Sequence, residues 1–334
     1  MTPDLRIFVA VTRHEVDLLF HPTARERLGG LGEVTFAASG ARAALPAGLA
    51  DSFDVVITSW STAPFEAGAL LGARLRLAAH SAGSVRARIP RKLLEQGLRV
   101  TQAAEAMAPA VAELAVTLTL VLLRNVHVHD RGLWTGRDWA SARQPDLGRA
   151  LSEQQVGIVG MSRTGRHYAS MVRGMGVRKI RAYDPYADPA ACADFGVELV
   201  GLDELFARSQ VVAVHAPTTE ETRRMIGARQ LALLPDGAVF VNTARSWVVD
   251  QDAMLAELVS GRLRAGLDVF DTEPLPPGSS FYGLPNVVIT PHVAGGTVEA
   301  RFHQGDVVVG EIERFVAGEP LAHEITLDTY DVLA

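Results

Sequence analysis

Residues 157–165 read GIVGMSRTG. A dinucleotide-binding turn between a strand and a helix asks for G-x-G-x-x-G. Its first glycine makes the tight turn, its second lets the backbone approach a pyrophosphate, and its third allows close helix–strand packing. Gly160 and Gly165 supply the first and third, and Ser162 stands at the second. A serine adds one Cβ and a hydroxyl that can itself donate to a phosphate oxygen. Alone, this degenerate pattern fits an ordinary strand-to-helix turn equally well.

The flanking sequence tips the balance. QVGIVG reads as a strand, RTGRHYASMVRGMG as a helix and KIRAYD as the next strand, ending at Asp184. Asp184 lies 24 residues beyond Gly160, near the roughly twenty at which an acidic residue meets ribose hydroxyls. A carboxylate there repels a 2′-phosphate, so NAD is expected rather than NADP. Asp184 also opens an Asp-Pro turn, a role compatible with the first. Gly160, Ser162, Arg163, Thr164, Gly165 and Asp184 are therefore candidate cofactor residues.

Outward from this turn, β-branched runs alternate with helix-length gaps. RIFVAV, DVVITSW, LRLAAH and LRV occupy the first hundred residues, separated by stretches such as FEAGALLGA and PRKLLEQG. VVAVHAP, AVFVNTA, AGLDVF and NVVITPH follow the nucleotide turn. Continuous apolar strands between helices mark parallel sheets covered on both faces, so the fold class is α/β with two parallel-sheet domains. Residues 109–128 read as one long apolar helix with Pro109 near its start. The polar stretch from Asp130 to Arg149, with Trp134 and Trp139, reads as irregular. A second long helix runs from near Thr297 to about Ala317, where GEP stops it. Two long helices bracketing one set of strands imply a chain that leaves a first domain, completes a second and returns. The expected divisions are 1–105 with 298–334, and 106–297.

Composition narrows the partners. The chain of 334 residues has 32 Lys+Arg against 38 Asp+Glu and a net charge of −6, with no basic block of the kind that binds nucleic acid. Neither nucleic acid nor an anionic membrane is expected as a partner. Cys192 is the single cysteine; a disulfide framework is excluded, a reducing cytoplasm fits, and the thiol reads as a packing residue. The apolar run at the N-terminus is too brief for a signal peptide. The longest uncharged apolar run, Leu114–Leu123, is half the length of a membrane span. His127 and His129 alternate rather than sit at i, i+4, so no metal is expected.

Three later strands end in polar residues: Arg245 after VFVNTA, Asp268 and Glu273 in AGLDVFDTEP, and His292 in VVITPH. Ligands of open α/β sheets bind beyond the carboxyl ends of strands. Taken singly, each residue also reads as ordinary: a surface cation, a loop carboxylate, a buried histidine. In order, however, the glycine turn, HAP, NTAR, DVFDTEP and TPHVAGGT resemble the D-isomer-specific 2-hydroxyacid dehydrogenase family, sharply from about residue 109 to 320.

The resemblance implies a nucleotide domain inserted into a substrate domain, and a dimer joined through the nucleotide domains. It makes Arg245 the substrate-carboxylate ligand and Glu273 with His292 the acid–base pair. It places Pro217, Thr243, Ala244, Asp268, His292 and Gly295 along the cofactor, Asp268 at the nicotinamide carboxamide. The substrate loop falls on Ala82, Gly83 and Ser84. The chemistry suits these residue types: a guanidinium grips a carboxylate bidentately, and a histidine exchanges protons near neutrality.

The departures cluster at the substrate end. HSAGSVRAR lacks the family's loop aspartate, Met107 stands where many members carry asparagine, and Ser246 replaces a glycine after Arg245. His80, Arg86 and Arg88 read either as a site for an extra anionic group or as a solvated basic loop. The expected function is interconversion of a 2-keto acid and a D-2-hydroxy acid with NAD; the alternative is an NAD(H)-sensing corepressor-like protein. The end of the chain at residue 334 leans away from a regulated biosynthetic enzyme.

Overall fold

Strands β1 (Arg6–Ala10), β2 (Glu33–Phe36), β3 (Val55–Thr58), β4 (Leu77–His80) and β5 (Arg99–Thr101) open the chain. They belong to a computed structural model describing residues 5–66, 74–143 and 147–333. The chain then builds β6 (Gln155–Val159), β7 (Lys179–Tyr183), β8 (Val197–Leu199), β9 (Val211–Val214), β10 (Val239–Asn242), β11 (Arg264–Leu267) and β12 (Val287–Ile289). It ends with β13 (Glu324–Ile325). Two compact units result, Met1–Met107 with Gly296–Ala334, and Ala108–Gly295.

The first unit holds a sheet of order β13-β5-β4-β3-β1-β2, parallel except for β13, which pairs antiparallel with β5. Its core strands are apolar throughout because both faces are covered. Ile7, Val9 and Ile57 pack on one side with Val16, Leu19 and Val309 from helices. Phe8, Ala10 and Val56 pack on the other with Ile89 and Leu93.

The second unit's sheet is wholly parallel, in the order β12-β11-β10-β9-β6-β7-β8. The order reverses direction at β6, the doubly wound arrangement that opens a ligand crevice beside that strand. Val156 and Ile158 face Leu118, Leu122 and Tyr168. Val212, Val214 and Phe240 face Leu205, Phe206 and Leu258.

Two expectations need correction. The long apolar helix spans Ala104–Leu123, with Pro109 inside it. It begins upstream of the expected start because the alanine-rich AEAMA run favours helix. It stops at Asn125, which takes a left-handed φ of 52°, a conformation asparagine tolerates; Arg264 Nη1 donates to its Oδ1 at 2.7 Å. The stretch beyond is largely helical, as Val126–Gly136 and Trp139–Ala142. The cause is local: Asp138 caps Ala140 N–H and His129 Nδ1 bonds the Ala142 carbonyl at 2.8 Å. The helix read in FEAGALLGA falls mostly on residues 67–73, outside the described residues.

Helix Ala104–Leu123 has a mean hydropathy of 2.0 and the length of a membrane span. It is nonetheless a core helix: Ala112, Ala115, Leu118 and Leu122 are all within 2% of full burial. The last long helix, Val298–Ala317, starts where Thr297 accepts from Ala300 N–H and stops at left-handed Gly318.

Candidate active site

The glycine turn joins β6 to helix Arg163–Gly174. Gly160 has φ of +95°, and a Cβ there would lie 2.6 Å from Ala216 N. A Cβ on Gly165 would lie 2.1 Å from the Gly160 carbonyl oxygen. Both positions admit only glycine. Ser162 caps the helix, accepting from Gly165 N–H at 3.3 Å while donating to the His215 carbonyl at 2.9 Å. Its proton is therefore spent within the chain rather than held for a phosphate. Among the described residues the Thr164 N–H in this first helical turn has no partner, so it is open to an anion at the positive end of the helix.

Asp184 stands at the end of β7, next to β6. One carboxylate oxygen accepts from Met161 N–H at 2.8 Å and the other from Tyr186 N–H at 2.9 Å. Each oxygen keeps acceptor capacity for a hydroxyl. Beside it lies a cavity of about 210 Å³ lined by Met161, Arg166, Tyr186 and the buried Cys192. Burial, then Asp184 and Asp188, push the Cys192 thiol pKa up, away from the reactive range. Thr243, after β10, is buried, and its hydroxyl has no partner among the described residues. Glycines without room for a Cβ, an open helix terminus, an acidic strand end and an orphaned buried hydroxyl together fit a dinucleotide. Pro217 is exposed just beyond β9, and Ala244 and Gly295 are partly exposed.

Arg245, Asp268 with Glu273, and His292 follow the carboxyl ends of β10, β11 and β12. These three strands are neighbours in one parallel sheet, so the four residues emerge at one edge. His292 Nδ1 and Glu273 Oε2 are 2.7 Å apart, with the side chains 46% and 36% exposed. The other Glu273 oxygen accepts from Phe270 N–H at 2.9 Å. His292 has φ of +54°, a conformation a non-glycine residue keeps only when its surroundings enforce it.

Asp268 provides that enforcement. Fully buried, it accepts from Thr290 Oγ1 at 2.5 Å, Val293 N–H at 2.9 Å and Ala294 N–H at 2.9 Å. Its own carbonyl takes His292 N–H at 2.9 Å. Three of roughly four acceptor positions thus hold the loop that presents the imidazole. Asn242 does the same for Arg245: its Nδ2 donates to the Arg245 carbonyl at 2.9 Å and its Oδ1 accepts from Ala244 N–H at 3.0 Å. The sequence signal for Asn242 was a polar residue closing the apolar VFVN. Arg245 is exposed overall, yet the protein around its guanidinium lowers its pKa, an effect Glu273 opposes. It stays a cation at neutral pH.

The substrate loop belongs to the first unit, at the end of β4. Ala82 is fully buried and its carbonyl accepts from Ala103 N–H at 2.9 Å. Gly83 is partly exposed, and a Cβ there would come within 3.3 Å of Met107 Cε. Ser84 is exposed. The three basic residues beside it turn inward to their own chain. His80 Nδ1 bonds Thr58 Oγ1 at 2.8 Å, and burial drives the ring's pKa down to about 4. Arg86 donates to the Asp331 carbonyl, and Arg88 to the Trp60 carbonyl at 2.8 Å. Among the described residues no His, Cys, Asp or Glu cluster could hold a metal ion; His127 bonds the Pro285 carbonyl at 3.0 Å.

Residues 116–294 match the family model described as D-isomer specific 2-hydroxyacid dehydrogenase, NAD binding domain. That range falls inside the second unit. A hydroxypyruvate reductase from Thermotoga maritima is 38% identical over 225 residues, covering 66% of this chain and 71% of that protein. A D-3-phosphoglycerate dehydrogenase from Mycobacterium tuberculosis strain H37Rv is 36% identical over 225 residues, covering 67% of this chain and 42% of the relative. The chain thus spans less than half the length of that relative. Among solved structures, a D-2-hydroxyisocaproate dehydrogenase superposes with a TM-score of 0.82 at 26% identity, covering 96% of this chain and 99% of the other.

Proposed function

Since the chain belongs to the D-isomer-specific 2-hydroxyacid dehydrogenase family, we propose that it is an NAD-dependent oxidoreductase interconverting a 2-keto acid and a D-2-hydroxy acid. The observation that carries this reading is the 2.7 Å His292–Glu273 pair, presented on the loop that Asp268 holds. A sensor has less need of such a pair together with Arg245. The relatives named above are dehydrogenases and reductases, and the corepressor reading finds no support among them.

When bound, NADH supplies the hydride. Gly160, Ser162, Arg163, Thr164 and Gly165 would hold its pyrophosphate, Asp184 its ribose hydroxyls, and Pro217, Thr243, Ala244, Asp268 and Gly295 its remaining length. Arg245 grips the substrate carboxylate and draws electron density from the adjacent carbonyl. His292, as imidazolium, gives its proton to the carbonyl oxygen as the carbon is reduced, and takes it back in the reverse direction. Glu273 orients the ring through its 2.7 Å contact with Nδ1. Ala82, Gly83 and Ser84 receive the substrate. The active unit is a homodimer in the cytoplasm; a lone buried thiol and an exposed aromatic surface on the second unit support these two assignments.

Steady-state NADH oxidation against glyoxylate, hydroxypyruvate, pyruvate and phosphohydroxypyruvate tests the reading. A positioned general acid is worth about 10²–10⁴-fold, so His292→Ala should lower kcat by that order and leave NADH affinity intact. Near-normal turnover by the variant would remove His292 from the chemistry. Tight NADH binding without turnover of any keto acid would favour the sensor.

A further inference from the structure

Arg86, Arg88 and His80 spend polar groups on their own chain; Arg301, at the same sheet edge, is held in place but keeps most of its donors unused among the described residues. Arg301 sits in the first turns of helix Val298–Ala317, and its guanidinium carbon lies 4.2 Å from the centroid of the Trp60 ring. Trp60 is the second residue beyond β3 and is 39% exposed, and its carbonyl is pinned by Arg88 at 2.8 Å and 3.2 Å. Stacking on a held indole fixes the plane of the guanidinium.

A hydrogen-bonded relay connects this cation to the substrate loop. Arg301 Nη1 donates to Gln304 Oε1 at 3.1 Å, and the fully buried Gln304 donates from Nε2 to the Ser81 carbonyl at 2.5 Å. Ser81 directly precedes Ala82. One helix therefore positions both the loop backbone and the guanidinium, at the carboxyl ends of parallel strands where ligands of such sheets bind.

Glu15 acts on Arg301 electrostatically without touching it. That carboxylate is committed to Ser59 Oγ and to Ser61 N–H at 3.3 Å. Among the described residues no carboxylate forms an ion pair with Arg301. A guanidinium carries five N–H donors, and among the described residues Arg301 forms one hydrogen bond. The remaining fork matches the geometry of a carboxylate or phosphate.

We propose that Arg301, stacked on Trp60 and oriented by Gln304 beside the substrate loop, binds an anionic group of the substrate other than its 2-carboxylate, so that this chain selects 2-keto acids carrying a second negative charge. The inference rests on the oxidoreductase reading above and adds the substrate class to it. Arg301 would act on specificity and leave the chemistry at the carbonyl to His292.

The test is NADH-dependent reduction of anion-tailed acids (oxaloacetate, 2-ketoglutarate, phosphohydroxypyruvate) against neutral-tailed 2-ketobutyrate and 2-ketovalerate. Wild type, Arg301→Gln and Arg301→Lys are compared. Wild type should favour one or more anion-tailed acids, and the preferred tail distinguishes carboxylate from phosphate. Arg301→Gln should lower kcat/KM for these by roughly 10- to 100-fold, the worth of a hydrogen bond to a charged group. Turnover of neutral-tailed acids should stay within about twofold, and Arg301→Lys should recover part of the loss. Equal losses on both classes, or a wild-type preference for neutral tails, would overturn the assignment. If wild type reduces none of these acids, the oxidoreductase reading fails instead. Calorimetric binding of glutarate and inorganic phosphate then decides the anion site: Arg301-dependent binding upholds it, and no binding of either overturns it.

Discussion

His215 shows how much a single side chain can commit a protein to a pH range. It follows β9, is buried, and has no hydrogen-bond partner on either nitrogen among the described residues. Its ring lies 5.1 Å from that of Tyr168. Burial drives its pKa down to about 3 and that of His80 to about 4. Above pH 6.5 both rings are neutral in the folded and unfolded chains, and their full contribution to stability is present. As pH falls below 6.5 the unfolded chain takes up protons that the folded rings refuse, so stability is lost down to the folded pKa values. Each ring contributes a slope of about 1.4 kcal/mol per pH unit. His215→Leu should leave stability at pH 7 nearly unchanged, because it removes two unsatisfied nitrogens, and should flatten the decline between pH 6 and 4 by about that slope. Urea unfolding of both proteins across this range is the measurement; parallel curves would mean that the buried ring is protonated or hydrated in the folded protein. None of this was legible in HAP, where burial of the histidine depends on Tyr168, some fifty residues away. The same holds for Asp268. Its position suggested a cofactor ligand, while its three bonds to the His292 loop come from residues 22 to 26 positions further on.

At the scale of elements, the parallel strands were readable because burial on both faces leaves apolar residues no alternative. Strands β2, β8 and β13 escaped notice for the converse reason: they lie at the edges of their sheets or are two or three residues long, and carry little apolar signal. The glycine turn was readable in part. Gly160 and Gly165 announced close backbone approach, and the structure gives the distances that make them obligatory. Ser162 was weighed as a phosphate donor and serves as a helix cap. A sharp contrast between neighbouring substitutions follows. Ser162→Gly loses a cap for a residue that caps nearly as well, a cost of a few tenths of a kcal/mol. Gly165→Ala places a methyl 2.1 Å from the Gly160 carbonyl oxygen and must push the helix off β6, costing about 1–3 kcal/mol. Denaturant melts should rank them so, and fluorescence titration should show NADH affinity kept by the first and largely lost by the second. Normal NADH binding by a folded Gly165→Ala protein would detach this turn from the cofactor.

At the scale of the molecule, the segment read from sequence as irregular supplies the argument for assembly. Val126, Leu133, Trp134, Trp139 and Leu147 are 50%, 39%, 78%, 73% and 95% exposed, all within the second unit and within two short helices and the chain just beyond. The two helices are held together: His129 bonds the Ala142 carbonyl, and a Cβ on Gly132 would meet that of Ala142 at 3.3 Å. Large apolar side chains exposed on neighbouring helices mark a candidate interaction surface, and tryptophan is among the residues that dominate interface energetics. The homodimer proposed above would seat a second copy of the same surface here, as a twofold interface does. Light scattering after gel filtration should therefore give twice the 35.8 kDa chain mass. Trp134→Glu with Trp139→Glu should give a folded monomer, because losing one aromatic anchor costs about 2 kcal/mol or more, roughly thirtyfold in dissociation constant. A wild-type monomer at micromolar concentration, or a variant that remains dimeric, would send the search for the interface to another face.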